Sequence, residues 1–189
     1  MFSTDACKGS YNYLKSQKFY EAARTFIYFA ISFALFIAGY FTTGTRLNLL
    51  TIVAVLGCLP ACRSAVSMIM FMRCRGCSVE NAGAICKSRG ELDELYDMVF
   101  TSYDRNYVIA HLAVKGNTIC GFTEDVKLDE QAFYRHIDAI LKTDGFRDAS
   151  IKIYKDIKKY EERLKQMNEL DADDANTKGI INTLKSVAL

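Results

Sequence analysis

The chain has no tryptophan, a single proline and two histidines among its 189 residues, and no acid lies between Glu21 and Glu80. Each shortage removes a class of function. No serine elbow, glycine-rich phosphate loop or pair of catalytic carboxylates accompanies the two histidines, so the common signatures of hydrolases and nucleotide-binding proteins are missing. His111 and His136 stand alone, and a lone histidine on a strand is expected to be a satisfied structural residue. Seven cysteines, an odd number, do not describe a disulfide scaffold. A basic folded domain is missing too. Residues 91–189 hold 14 Lys and Arg against 19 Asp and Glu, a net of −5, whereas residues 1–90 hold ten against three, a net of +7. A nucleic-acid binder should carry its positive charge on the folded domain itself, so nucleic acid is not expected as a partner. No cofactor is expected either.

The acid-free region is instead strongly apolar. Between Arg24 and Arg46 lie 21 consecutive uncharged residues, and the 26 residues from Leu47 to Met72 carry only Arg63. A helix needs about 20 apolar residues to cross the ~30 Å hydrocarbon layer. Two transmembrane helices joined as a hairpin are therefore expected over 22–73, with the lipid bilayer as partner. Lys8, Lys15, Lys18 and Arg24 precede the first run, and Arg73, Arg75, Lys87 and Arg89 follow the second. The connecting segment 42–48 offers Arg46 alone. This asymmetry predicts a plasma or inner membrane protein with both termini in the cytoplasm.

Small residues recur four apart in both runs: Ala30, Ala34 and Ala38 in the first, Gly57, Ala61 and Ala65 in the second. Small residues let helices approach closely in lipid. The two stripes fit an antiparallel register that pairs 30 with 65, 34 with 61 and 38 with 57. They serve equally for self-association between protomers, and a homo-oligomer is expected. Pro60 removes a backbone donor inside the second run. Arg63, nearby, either occupies a functional mid-membrane position or marks the end of the span near Cys62, with Ser64–Met72 at the interface.

A neck over 74–90 holds Cys74, Cys77 and Cys86. The C-x-x-C pair matches one knuckle of a zinc site, which Cys86 or Cys7 could extend. Juxtamembrane acylation and plain free thiols are the alternatives, and no metal is assigned.

Beyond Gly90 the periodicity changes. Tyr96–Ser102 alternates as a strand does, Tyr103-Asp-Arg-Asn106 reads as a turn, and Tyr107–Lys115 is an apolar, β-branched run. Gly116-Asn117 is a two-residue hairpin signal leading to Thr118–Thr123. Asp129 is the expected N-cap of a helix with Phe133, Ile137, Ile140 and Leu141 on one face. Ala149–Tyr154 alternates again. A charged helix follows with Ile157, Tyr160, Leu164 and Met167 as its seam, then a polar break at 171–176 and a last amphipathic helix. Four segments result: an N-terminal segment 1–21, the hairpin 22–73, the neck 74–90 and a small α+β cytoplasmic domain 91–189 of order βββαβαα.

The stretch from Leu95-Tyr-Asp97 through Val114-Lys115-Gly-Asn-Thr-Ile-Cys-Gly121 resembles the middle of the nuclease-related domain, a branch of the PD-(D/E)XK fold. The resemblance implies that Asp97 and Lys115 would be the matching catalytic positions, brought close by the hairpin. The family's metal-binding glutamate is replaced by Ala113, so metal-dependent cleavage is not expected. The reading that follows is a non-enzymatic interaction, sensory or effector domain on a membrane anchor, binding a cytoplasmic protein or a small molecule. A tethered degenerate nuclease-related domain and a small oligomeric pore with Arg63 facing its lumen are the alternatives.

Overall fold

A computed structural model describes residues 8–44, 49–103, 105–170 and 174–189. Expectations resting on Cys7, Arg46, Asp104 and residues 171–173 lie outside these residues. The chain divides into two compact units, one formed by Leu14–Cys74 and the other by Arg75–Leu189 together with the segment leading up to Tyr13.

The first unit is a helical hairpin of α1 (Tyr13–Thr43) and α2 (Leu49–Arg73). At 1.5 Å per residue these measure roughly 46 and 37 Å, and both are long and apolar enough to cross a membrane by length and composition. Helix α1 begins at Tyr13 rather than Ala22, because Leu14, Lys15, Gln17 and Lys18 are good helix formers. Helix α2 continues through Pro60 to Arg73, and both Pro60 and Arg63 are exposed on it.

The two helices do not use the expected register. Beyond Tyr13 and Leu14 in its first turn, the buried side chains of α1 are Glu21, Thr25 and Ser32, and Ala30, Ala34 and Ala38 face outward. Thr25 Oγ1 meets Ser64 Oγ at 2.8 Å, and a Cβ on Gly57 would lie 2.8 Å from Ser32 Oγ. The couples 25/64 and 32/57 share one register, six residues from the alanine-based one. On α2 the small stripe does pack: Ala61 is buried, and Gly57 and Ala65 are half-buried. The reason is polarity. In apolar surroundings a hydroxyl gains a hydrogen bond by facing its neighbour, and an alanine loses little by facing out. Arg24 closes the cluster, donating from Nη2 to Glu21 Oε2 at 2.6 Å and from Nε to Ser64 Oγ at 3.3 Å.

The second unit is an α+β domain around a four-stranded sheet of order β1-β2-β3-β4. Strands β1 (Asp93–Thr101), β2 (Asn106–Lys115) and β3 (Thr118–Phe122) form an antiparallel meander, and β4 (Ser150–Tyr154) runs parallel to β3. Gly116 takes φ +57° at the β2–β3 turn, the left-handed value a tight hairpin demands. Helix α4 (Glu130–Thr143) forms the crossover to β4, and α5 (Ile157–Asn168) and α6 (Asp174–Val187) follow. Asp129 and Asp156 cap α4 and α5 by accepting first-turn N–H groups.

One element was not expected. Helix α3 (Val79–Ser88) occupies the neck, so the order of this unit is αβββαβαα. Ser78 caps it and Ile85 anchors it. Helices α4 and α6 cover one face of the sheet through Phe133, Ile137, Leu141, Ile180 and Leu184. Helices α3 and α5 cover the other through Ile85, Tyr160, Leu164 and Met167. Burial on both faces explains why β2 reads as a continuous apolar run. The outer edge of β1 is covered as well. Phe100 bridges Ala188, Leu189 N donates to Val99 O at 2.9 Å and Tyr96 N to Gly9 O at 2.8 Å.

Candidate functional site

The site begins with a break in strand alternation. Leu95, Met98 and Phe100 share the α4/α6 face although they differ in parity, and Tyr96 lies on the α3/α5 face. Asp97 between them adopts φ 55°, a left-handed conformation tolerated by aspartate better than by most residues. Strand β2 breaks parity at the same level, between Ile109 and Leu112 on the α4/α6 face. The two irregularities cancel, so Tyr96 still pairs His111 and Met98 pairs Ile109. Glu94, Tyr96 and His111 are thereby gathered under α3 and α5.

His111 is fully enclosed. Its Nε2 lies 3.1 Å from Glu94 Oε2 and its Nδ1 lies 2.6 Å from the Tyr160 hydroxyl. An ionised carboxylate can only accept, so Nε2 carries the proton and the Tyr160 hydroxyl donates to the Nδ1 lone pair. Arg89 pairs with the other oxygen of Glu94. The Tyr96 ring stands edge-on to the imidazole at 4.4 Å, and Tyr160 stacks on Phe122 at 5.6 Å.

Burial lowers the pKa of His111, and Glu94 only partly opposes it. Burial alone would raise the Glu94 carboxyl, but the hydrogen bond from His111 and the charge of Arg89 outweigh it, and the net shift is downward. The Tyr96 phenol is raised by burial and then by the Glu94 charge beside it. The Tyr160 phenol is raised mainly by burial.

A cavity of about 550 Å³ opens above this network. Tyr11, Val79, Ala82 and Tyr96 make its apolar wall, and Cys86, Arg89 and Glu94 its polar one. Gly83 also lines it, and a Cβ added there would meet nothing within 4 Å. Asn168 fixes the polar wall. Its Nδ2 donates to Arg89 O at 3.0 Å and to Leu164 O at 3.2 Å, and it presses on Gly90 at φ +58°. The arrangement is a preformed recess with one ion pair on its wall. His111 is sealed beneath it with both ring nitrogens engaged, so the groups that reach the cavity are the Glu94–Arg89 pair and the Cys86 thiol.

The sequence-derived candidates lie elsewhere. The buried Asp97 carboxylate accepts from Cys77 N at 2.8 Å, and a Cβ on Gly76 would sit 2.7 Å from its Oδ1. It thus holds the entry to α3. Lys115 Nζ donates to Asn168 O at 2.8 Å, at the end of α5, where a cation suits the helix dipole. The β1–β2 register sets Asp93 against Val114, which separates Asp97 from Lys115 by roughly 16 Å along the ladder. The hairpin does not bring them together. Ala113 faces Glu94 across the strands, and that carboxylate turns to His111.

Cys77 is buried, its thiol pushed up to about 12 by burial, then by Glu124 and Asp97. Cys74 is buried in the first unit and Cys86 is exposed. Among the described residues no three or more His, Cys, Asp or Glu side chains cluster closely enough to hold a metal ion.

Arg89, Glu94, Tyr96 and Tyr160 were not legible as a site. Arg89 counted only as a flanking cation and Tyr160 only as a helix seam. Comparison with protein-family models, with curated proteins and with solved structures returns no match for this chain.

Proposed function

We propose that the hairpin crosses a membrane with both chain ends in the cytoplasm, and that the α+β unit is a non-enzymatic sensory domain binding a small molecule in the cavity beside Glu94. The anchor is supported by the two apolar helices and by eight flanking cations against Arg46 alone. In the hairpin register Arg63 lies level with Phe26, within one helical turn of Arg24, which pairs with Glu21. Both arginines then sit at lipid-phosphate depth, a reading we favour over a pore lumen. Self-association belongs to the same proposal, since a sensor on a membrane needs a way to pass on its occupancy.

One observation carries the binding reading. The cavity is built on a charge network that is complete without any ligand, so it is held open in advance. The test uses the full chain in lipid nanodiscs and a fragment library read by ligand-observed NMR. Fragments that bind the wild type and not Gly83→Phe, whose ring would fill the recess, are the expected result. Fragments that bind both proteins equally, or no binder at all, would refute it.

A further inference from the structure

Among the described residues, strand β4 is paired along one edge only. Ser150 N donates to Asn117 O at 2.7 Å, and Tyr154 O accepts from Thr123 N at 3.0 Å. Residues 150, 152 and 154 therefore turn their backbone groups toward β3. Backbone groups alternate in direction along a strand, so the N–H and C=O of Ile151 and Ile153 point the other way, where the sheet ends. The opposite edge, at β1, is closed by Ala188, Leu189 and Gly9.

Along the open edge runs a groove of about 460 Å³ between β4 and α4. Ile151, Ile153 and Tyr134 give it an apolar floor, and the Tyr134 side is 43% exposed. Its lining carries two cations, Arg135 and Lys152, against one acid, Glu130, and the N-cap Asp129 also feels the Arg135 charge. Glu130 pairs with Lys155 at 3.3 Å, which leaves Arg135 and Lys152, both exposed, without an ion pair among the described residues.

We propose that this edge takes an extended acidic segment of a partner protein as a fifth strand. The outward N–H and C=O groups of Ile151 and Ile153 supply the ladder, as in other edge-strand recognition. On the α4 face, alternate apolar side chains of the partner enter the groove against Ile151, Ile153 and Tyr134. On the other face its acidic side chains meet Lys152, and Arg135 holds the rim. A second copy of this chain fits poorly. Strand β4 is centred on Lys152, so two-fold pairing would set Lys152 directly against its own copy, and like charges in that position repel.

The test measures fluorescence anisotropy of labelled peptides of about nine residues, a full strand, against the full chain in mild detergent. One peptide alternates valine and glutamate, a second alternates valine and lysine. Two more are the glutamate peptide N-methylated on every second residue, in either phase. The glutamate peptide should bind at least about tenfold more tightly than the lysine peptide. N-methylation in one phase should cost about tenfold or more, the value of one lost hydrogen bond. The double variant Arg135→Glu/Lys152→Glu, changed only at exposed positions, should invert the preference. No binding, equal binding of both charge types, or indifference to methylation in both phases would overturn the proposal. So would self-association of the chain that Lys152→Ala strengthens, since relief of the Lys152–Lys152 repulsion would give the edge to a second copy.

Discussion

Replacing His111 with alanine removes the side chain that joins Tyr160 on α5 to Glu94 on β1. The imidazole is completely enclosed, so its loss leaves a cavity costing about 2–4 kcal/mol by analogy with other large-to-small core changes. The Tyr160 hydroxyl would fall back on Cys120 O at 3.4 Å, a poor acceptor distance, adding about 1 kcal/mol or more for a buried donor left short. The total expected loss is about 3–5 kcal/mol, read as a lower urea midpoint in the near-ultraviolet tyrosine signal of the full chain in detergent. The pH dependence gives a second readout. The folded pKa of His111 lies below its unfolded value of about 6.5, so below that pH the unfolded chain binds the extra proton. Stability should be full above pH 6.5 and fall as the pH drops, with a slope of up to about 1.4 kcal/mol per unit. Glu94, also lowered, adds a further loss only as the pH falls below about 4.5 and through its folded value. His111→Ala should flatten the slope as the pH falls below about 6.5. A variant within about 1 kcal/mol of wild type, or one that keeps the full slope, would refute the network.

Gly90→Ala should cost about 1–3 kcal/mol in the same melt, because φ +58° strains any L side chain and a Cβ would lie 2.5 Å from Asn168 Oδ1. Asp97→Asn should be tolerated within about 1 kcal/mol, since asparagine also accepts from Cys77 N and visits the left-handed region, whereas Asp97→Ala should lose about 1–3 kcal/mol. Cysteines placed at Thr25 and Ser64 should form an intramolecular disulfide detectable by peptide mass mapping, and a pair at Ala34 and Ala61 should not.

What was legible in the sequence was local. Asp129 capping α4, the Gly116-Asn117 turn, and the stripe of Phe133, Ile137 and Leu141 all depend on residues within a turn or two of one another. Helix α3 escaped because it buries only Ile85 and Ser88, too few positions to establish a period. The hairpin register escaped because a row of alanines shows where helices can approach, not which face does. The hydrogen bond between Thr25 and Ser64 decides that, and it exists only in space. The site escaped for the same reason. Glu94 and His111 are 17 residues apart and meet only when the β1–β2 register is known, and Asp97 breaks the alternation from which that register would be read.

Cys86 provides the most direct test of a membrane-anchored domain with a cytoplasmic, open cavity, because it is exposed at the cavity wall. Sealed vesicles of both orientations would be treated with a membrane-impermeant maleimide, extracted with alkaline carbonate and mapped by mass spectrometry. Labelled Cys86 should be found only in the inverted vesicles, on protein that stays with the membrane. Labelling in right-side-out vesicles, or release of the chain by carbonate, would contradict the account.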